Sequence, residues 1–487
     1  MSEFKTVIGL EIHVQLKTKS KMFCGCNNNA EEAAPNSLVC PVCMGMPGVL
    51  PVANKRAIEW TLKTGLALNS EIAEKSRFDR KHYYYPDLPK NYQISQFDLP
   101  FCNGGFLEVE TAEGHRKIEL KRIHLEEDAG KLIHSGDDSL VDLNRTGTPL
   151  MEIVTEPVIE SPADAKIFMQ ELRSILRYLD VSSADMEKGH LRCDANISIA
   201  QIDDRHPEQS EGSPADAGSE TSSEILRFAQ NDIVLGTPVE IKNLNSFRMV
   251  EKALIFEEQR QIGLIEEGEK IKKETRGWND SKGESYSQRS KEVAQDYRYF
   301  PEPDLPPFES SAFNIEKIKS ELPELPAQKR KRYVDMGIKQ SDAEILATDQ
   351  EMAKYFEGVS KAVTPILAAN WIINELKMDG ILVVSPEDLG EMLQNLEKGK
   401  ITGKMAKENL AKLIAGEKPD YTSEVVSEVE TAKAIDKVIT ANPKPVADIK
   451  AGKTQAMGFL VGQVMRETQG KANPEIINRL IYEKINC

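Results

Sequence analysis

Residues 6–16 read TVIGLEIHVQL. Apolar Leu10, Ile12, Val14 and Leu16 alternate with polar Glu11, His13 and Gln15, the period of a strand with one face in a core and the other wet. Glu11 and His13 therefore share a face, where they either converge on one ion or line solvent. Outward from this strand, to about residue 290, alternating runs such as HLRCDANISI (190–199) are mixed with helical patterns. Ser161 and Pro162 open a helix whose Phe168, Leu172, Ile175 and Leu179 share a stripe, and Asn54 opens another on Ile58, Leu62 and Leu66. The pattern is α+β, with a mixed-sheet domain at 1–295. Residues 201–233 are rich in Ser, Glu, Asp, Gly and Pro. They interrupt two strand-like runs, DANISIA and TPVEIKN, and read as a disordered insertion at a hairpin tip. The Pro-rich stretch YFPEPDLPPF (299–308) breaks regular structure. Beyond it the pattern is helical, giving an all-α helical domain at 296–405 and a small all-α tail at 406–487. In the tail, Asn473 and Pro474 lead into Ile477, Leu480 and Ile481.

The bulk composition is quiet about partners. Lys and Arg total 62 against 78 for Asp and Glu, a net charge of −16, so a nucleic-acid partner would have to be met by local basic groups such as Lys404, Lys407 and Lys412. No leader-like start and no run of 18 apolar residues is present, which suggests a soluble cytoplasmic chain. Four of the seven cysteines crowd together as FCGC and CPVC, with thirteen residues between. In a cytosolic chain, Cys24, Cys26, Cys40 and Cys43 read as paired knuckles for a structural zinc ion.

Further acidic and polar segments accompany Glu11 and His13. RIHLEEDAGKL (122–132) gathers His124, Glu126, Glu127 and Asp128, and either glutamate is a candidate ligand. Glu152 sits in the apolar run of TGTPLMEIVTEP, where an ionised carboxylate needs a cation or a salt bridge, with Arg145 as the candidate partner. Arg192, Asp194, Asn196 and Ser198 alternate against an apolar face. Lys242, Asn243, Asn245 and Ser246 precede a helix, whose N-terminus favours phosphate; Ser246 also reads as a plain helix cap. Carboxylates with imidazole suit Mg²⁺ or Mn²⁺, with nucleotide phosphates completing the shell. Standard nucleotide loops are missing: AGKTQ (451–455) has Ala447 where a Walker A loop needs glycine.

VIGLEIHVQL, FDRKHYYYPDLPKNYQISQ, HLEEDAGK, DLNRTGTPLMEI, LRCDANIS, KNLNSF and DYRYFPEPDLPP stand in an order and spacing that resemble the GatB family of tRNA amidotransferase subunits. GKTQAMGFLVGQVM and GKANPEIINRL resemble that family's YqeY-like tail. Everything but the insertion is covered. The resemblance implies a cradle domain that phosphorylates the side-chain carboxylate of Glu-tRNA(Gln) or Asp-tRNA(Asn) with ATP. It then exchanges phosphate for ammonia channelled from an amidase partner, within a GatCAB heterotrimer completed by a third, small protein. Glu11, His13, Glu126 or Glu127, and Glu152 would be the Mg²⁺ shell. Asp194, Asn196 and Lys242 would contact substrate or nucleotide, with Arg145, Asn243, Asn245 and Ser246 nearby. Lys404, Lys407 and Lys453 would meet the tRNA body.

Overall fold

The computed structural model describes residues 3–202, 236–290, 297–376, 383–421, 426–450 and 455–486. The insertion read at 201–233 lies outside them from residue 203 on, as does Lys453. The contacts divide the chain into two compact units, Met1–Leu325 and Pro326–Cys487.

The first unit is built on one large mixed sheet. The elements that position its polar face are, in chain order, β1 (Glu3–Gln15), α1 (Lys55–Ala67), β2 (Asp79–His82), β3 (Tyr92–Ser95), β4 (Gly114–Glu127), β5 (Pro149–Thr155), α2 (Pro162–Tyr178), β6 (Leu191–Ile202), β7 (Val239–Leu244), α3 (Phe247–Glu266), β8 (Glu274–Asn279) and β9 (Glu284–Ser290). The large sheet runs β9-β8-β7-β6-β1-β5-β4 and continues through short strands at Cys102–Asn103 and Glu71–Ile72. Every pairing among the labelled strands of that sheet is antiparallel except β7 with β8, which are parallel and joined by α3, as a crossover connection requires. β1 is central, paired by β6 on one side and β5 on the other. β2 and β3 form a separate antiparallel pair, extended on its other edge by Phe300–Pro301.

The alternation expected for β1 is realised. Leu10, Ile12 and Val14 are buried in the core with Phe168, Leu172 and Leu176 of α2 and Val250, Ala253 and Leu254 of α3. Each helix starts where the sequence supplies a cap: Asn54 accepts from the Arg56 and Ala57 amides, Ser161 from Asp164, and Ser246 from Met249. Helices thus cover the apolar face, and the polar face of β1, β4, β5 and β6 is left for chemistry.

The first unit extends past the expected boundary at 295/296. Phe300–Pro301 pairs with β2, Phe308–Glu309 pairs with Lys75–Ser76, and Phe313, Ile315 and Leu325 pack on the first core. The Pro-rich stretch therefore breaks regular structure without ending the unit. The second unit is helical and holds two apolar cores. One contains Tyr333, Phe356, Trp371, Leu393 and Leu410; the other contains Ile435, Leu460, Val464, Ile477 and Ile481. The fold is α+β, and among the described residues no helix is long and apolar enough to cross a membrane.

Candidate active site

Cross-strand register assembles the site. Glu152 of β5 stands opposite His13 of β1 on one side and His124 of β4 on the other, and Arg192 of β6 stands opposite His13. Directly opposed residues in antiparallel strands point to the same face, so one row across four strands reads Arg192, His13, Glu152, His124. Glu126 lies two residues beyond His124 and returns to that face. The result is a compact group: His13 Nε2 is 3.3 Å from Glu152 and 3.9 Å from Glu126, and His124 Nε2 is 3.4 Å from Glu152 and 3.9 Å from Glu126. Ser95 Oγ of β3 donates to Glu126 at 2.9 Å.

Two carboxylates this close and this buried repel each other and lose hydration. Burial pushes Glu152 up, but the charges of His124 and His13 prevail and hold it well below the usual range. Glu126 is likewise held down against its burial by His124. Burial works against charging His13, yet the Glu152 hydrogen bond and charge raise it to about 9. Ligand atoms of His13, Glu126 and Glu152 lie within 4.8 Å of one another, an arrangement able to hold a metal ion. His124 Nδ1 is buried without a hydrogen-bond partner among the described residues. Oxygen donors with imidazole fit a hard divalent cation, which would replace the proton on His13.

Glu11 shares this face beside Asp194, its opposite number on β6, but stands outside the three-residue group. Burial, then Glu152, raises its carboxyl. Of the two adjacent glutamates, Glu126 joins the group, whereas Glu127 points to the other side. There it pairs with Lys90 and accepts from the Ile94 amide at 2.9 Å, in a pocket shared with Cys24 and Cys43. Arg145 does not pair with Glu152. It donates to the carbonyls of Ala129 and Gly130 and lies 3.6 Å from Asp128. Gly147, at φ +83°, lets the chain double back between Arg145 and Glu152, which separates the two. Asp128 is the true anchor of the basic groups, accepting from Gln15 and from Arg192, each at 2.8 Å.

Farther along the face, Asp194 pairs with Lys242 at 2.6 Å, Lys242 reaches Glu240 at 3.1 Å, and Asn196 stands opposite Gly9 and Glu240. Asn243 and Asn245 are exposed, and Ser246 caps α3. In the second unit, exposed Lys407 pairs with Glu375 at 2.7 Å and Lys404 lies 4.0 Å from Glu408. His124 stands two residues before Glu126, the one sequence signal that marks it as a member of the group, whereas Ser95 and Lys81 belong to a different sheet and leave no such mark.

The four cysteines lie together on the loop between β1 and α1, with Cys43 Sγ 3.4 Å from Cys24 and 3.7 Å from both Cys26 and Cys40. Four sulfurs about 2.3 Å from a common zinc are spaced by about 3.8 Å, so the donor set fits that ion. The Cys24 hydrogen bond, with Lys21 behind it, outweighs burial and lowers the Cys43 thiol to about 4. Lys21 is fully buried, donates to the Leu38 carbonyl at 2.8 Å and stands 3.6 Å from Cys43. Its charge offsets part of the negative charge that four thiolates carry around a dication.

Two family models match the chain: one described as the GatB/GatE catalytic domain over residues 6–316, and one described as the GatB domain over residues 354–485. The chain is 45% identical to the B subunit of the aspartyl/glutamyl-tRNA(Asn/Gln) amidotransferase of Carboxydothermus hydrogenoformans, with 100% of this chain and 99% of that protein covered. It is 47% identical to the protein of the same name from Thermodesulfovibrio yellowstonii, with 99% of each covered. With that of Thermotoga petrophila the identity is 46%, over 99% of this chain and 98% of the other.

Proposed function

The chain belongs to the GatB family, the B subunits of the aspartyl/glutamyl-tRNA(Asn/Gln) amidotransferases, and from that premise we propose that its polar sheet face activates the side-chain carboxylate of glutamate or aspartate carried on tRNA. The supporting observation is the convergence of His13, Glu126 and Glu152, with His124, from three adjacent strands. A carboxylate does not react usefully with ammonia, because oxide is too poor a leaving group. A carboxylate oxygen attacks the γ-phosphorus of ATP, the bond to the β-phosphate oxygen breaks, and ADP departs. Ammonia then attacks the acyl carbon, the bond to the phosphoryl oxygen breaks, and phosphate leaves with the amide formed.

His13, Glu126 and Glu152 would hold Mg²⁺ or Mn²⁺, with His124 and Glu11 beside them, and the ion would supply charge that offsets the repulsion between phosphate oxygens and the incoming carboxylate. Ser95 fixes the Glu126 rotamer, so the carboxylate needs no reorientation. Arg192 and Gln15, tied to Asp128, keep the near end of the face rigid. Asp194, Asn196 and Lys242 extend the face toward the N-terminus of α3, whose free amides suit a phosphate; Asn243, Asn245 and Ser246 stand there.

Ammonia is supplied by a glutamine-hydrolysing amidase partner, and a third, small protein completes the GatCAB heterotrimer. The cysteine loop holds a structural zinc ion and takes no part in the chemistry. The helical residues from 326 to 405 and the tail 406–487 act as separate domains, with tRNA contacts at Lys404, Lys407 and Lys453. Phosphate contacts of that kind release counterions, so binding weakens steeply with salt.

The test is Glu152→Ala in the reconstituted complex. ATP-dependent amidation falls at least about a hundredfold, the loss expected for one preorganised charge-stabilising group, while tRNA affinity stays within about threefold. Full activity in this variant would sink the reading.

A further inference from the structure

Lys81 reaches the acidic group from outside the large sheet. On the β2–β3 pair, Lys81 is opposite Gln93 and Asp79 is opposite Ser95. Opposed residues share a face, so Lys81, Gln93 and Ser95 point the same way, with Lys81 and Ser95 diagonal neighbours. That face meets the end of β4: Ser95 donates to Glu126 at 2.9 Å and Gln93 donates to the Glu127 carbonyl at 2.7 Å. Arg80, one residue away, turns to the opposite face, stacks 4.3 Å from the Tyr92 ring and is tied to Glu302 at 2.7 Å.

The Lys81 ammonium has aromatic walls. It lies 5.0 Å from the Tyr297 ring, with Tyr83 at 6.4 Å and Tyr299 at 6.2 Å from that ring between centroids. Burial works against its charge, and the charges of Glu126 and Glu152 favour it. Yet among the described residues it makes no ion pair or hydrogen bond; Glu126 and Glu152 are taken by His13, His124 and Ser95. A lysine serving only as their counter-ion has a flexible four-carbon stem and would close to contact. This one lies against the Tyr297 ring, partly desolvated, with its three N–H donors not taken up by the described residues.

We propose that Lys81 binds the phosphoryl group that is transferred, gripping its oxygens from the side opposite the His13, Glu126 and Glu152 ligands. The inference rests on the function proposed above. A phosphoryl group on the nucleotide and the substrate's own carboxylate are the two anions that fit a lone ammonium here, and the transferred phosphoryl is the one with enough oxygens to meet both the ammonium and the ligand group at once.

The experiment uses the full complex and no turnover. The affinities of the β,γ-imido analogue of ATP and of ADP are measured by calorimetry for wild type, Lys81→Met and Lys81→Arg, with the thermal midpoint of each as a folding control. Lys81→Met is expected to weaken the analogue roughly ten- to a hundredfold, the size of one charged hydrogen bond. ADP should change less than about threefold, and Lys81→Arg should recover most of the analogue's affinity. If Lys81→Met lowers the thermal midpoint, Lys81→Gln replaces it with the same expected outcome. Unchanged analogue affinity overturns the assignment, as does an equal loss for ADP. Analogue binding retained together with weakened binding of the aminoacyl-tRNA assigns the lysine to the carboxylate and also overturns it. If the wild-type complex binds no analogue at all, the functional reading itself falls, a result distinct from any failure of the lysine.

Discussion

His13, Glu126 and Glu152 stand on three hydrogen-bonded strands, whereas Cys24, Cys26, Cys40 and Cys43 hang on a loop between β1 and α1 that contains no helix and only the isolated bridge Ser20 to Asn27. Both groups can hold a metal ion, but their scaffolds differ. The sheet fixes the first group by backbone register, so its two carboxylates sit in electrostatic conflict that the histidines, with Lys81 and Ser95, relieve. The cysteine loop has no strand ladder of its own; hydrogen bonds of Ala34, Asn36 and Leu38 to residues 141–144 anchor one part of it, and a bound ion would tie together the rest. A preformed, frustrated site suits chemistry; a site that borrows its order from the ion suits structure.

That contrast predicts different failures. The largest effect belongs to the sheet group: His13→Ala should cost ATP-dependent amidation at least about a hundredfold with the thermal midpoint little changed, while Glu11→Ala, outside the group, should cost less. Equal losses from both would erase the distinction between ligand and neighbour. Next, removing zinc with a chelator, or Cys43→Ser, should leave the sheet folded but expose residues 24–43 to limited proteolysis. Metal analysis of the untreated protein should find about one zinc per chain, and a loop equally protected in both states would contradict the borrowed order. Phe168→Ala, fully buried under the sheet, should lower stability by about 3–5 kcal/mol and weaken both regions together, because both hang from β1. Asp128→Asn should have a smaller effect, roughly 1–3 kcal/mol. Despite its burial, Arg192 and Arg145 hold the Asp128 carboxyl below its ordinary value. Its contribution is therefore present above about pH 4 and lost as pH falls through the acid range below. Denaturation of wild type and variant should converge there.

The cysteine group was readable from spacing alone, because C-x-C and C-x-x-C pairs within twenty residues need only a turn to meet. Strand alternation likewise revealed the wet face of β1 and the capped helices that cover its other face. What alternation left open was which of Glu126 and Glu127 joins His13, since Gly130 follows within four residues and the chain can bend there. Pairing of β4 with β5, which sets Glu152 against His124, resolves it. The Arg145–Glu152 pairing failed for a related reason: Gly147 turns the chain between them, and positive φ at a glycine leaves no mark in periodicity. Lys81 was invisible as a site residue because its approach depends on how a separate two-stranded unit packs on the end of β4. The boundary near residue 296 misled because a proline-rich segment can cross a unit as edge strands, as Phe300–Pro301 does.

tRNA carrying glutamate labelled with ¹⁸O in its side-chain carboxylate tests whether this face transfers a phosphoryl group to that carboxylate. The reconstituted complex should deliver one labelled oxygen to inorganic phosphate for each amide formed, and Glu152→Ala should abolish both label transfer and amide. Amide formed with unlabelled phosphate would contradict that transfer.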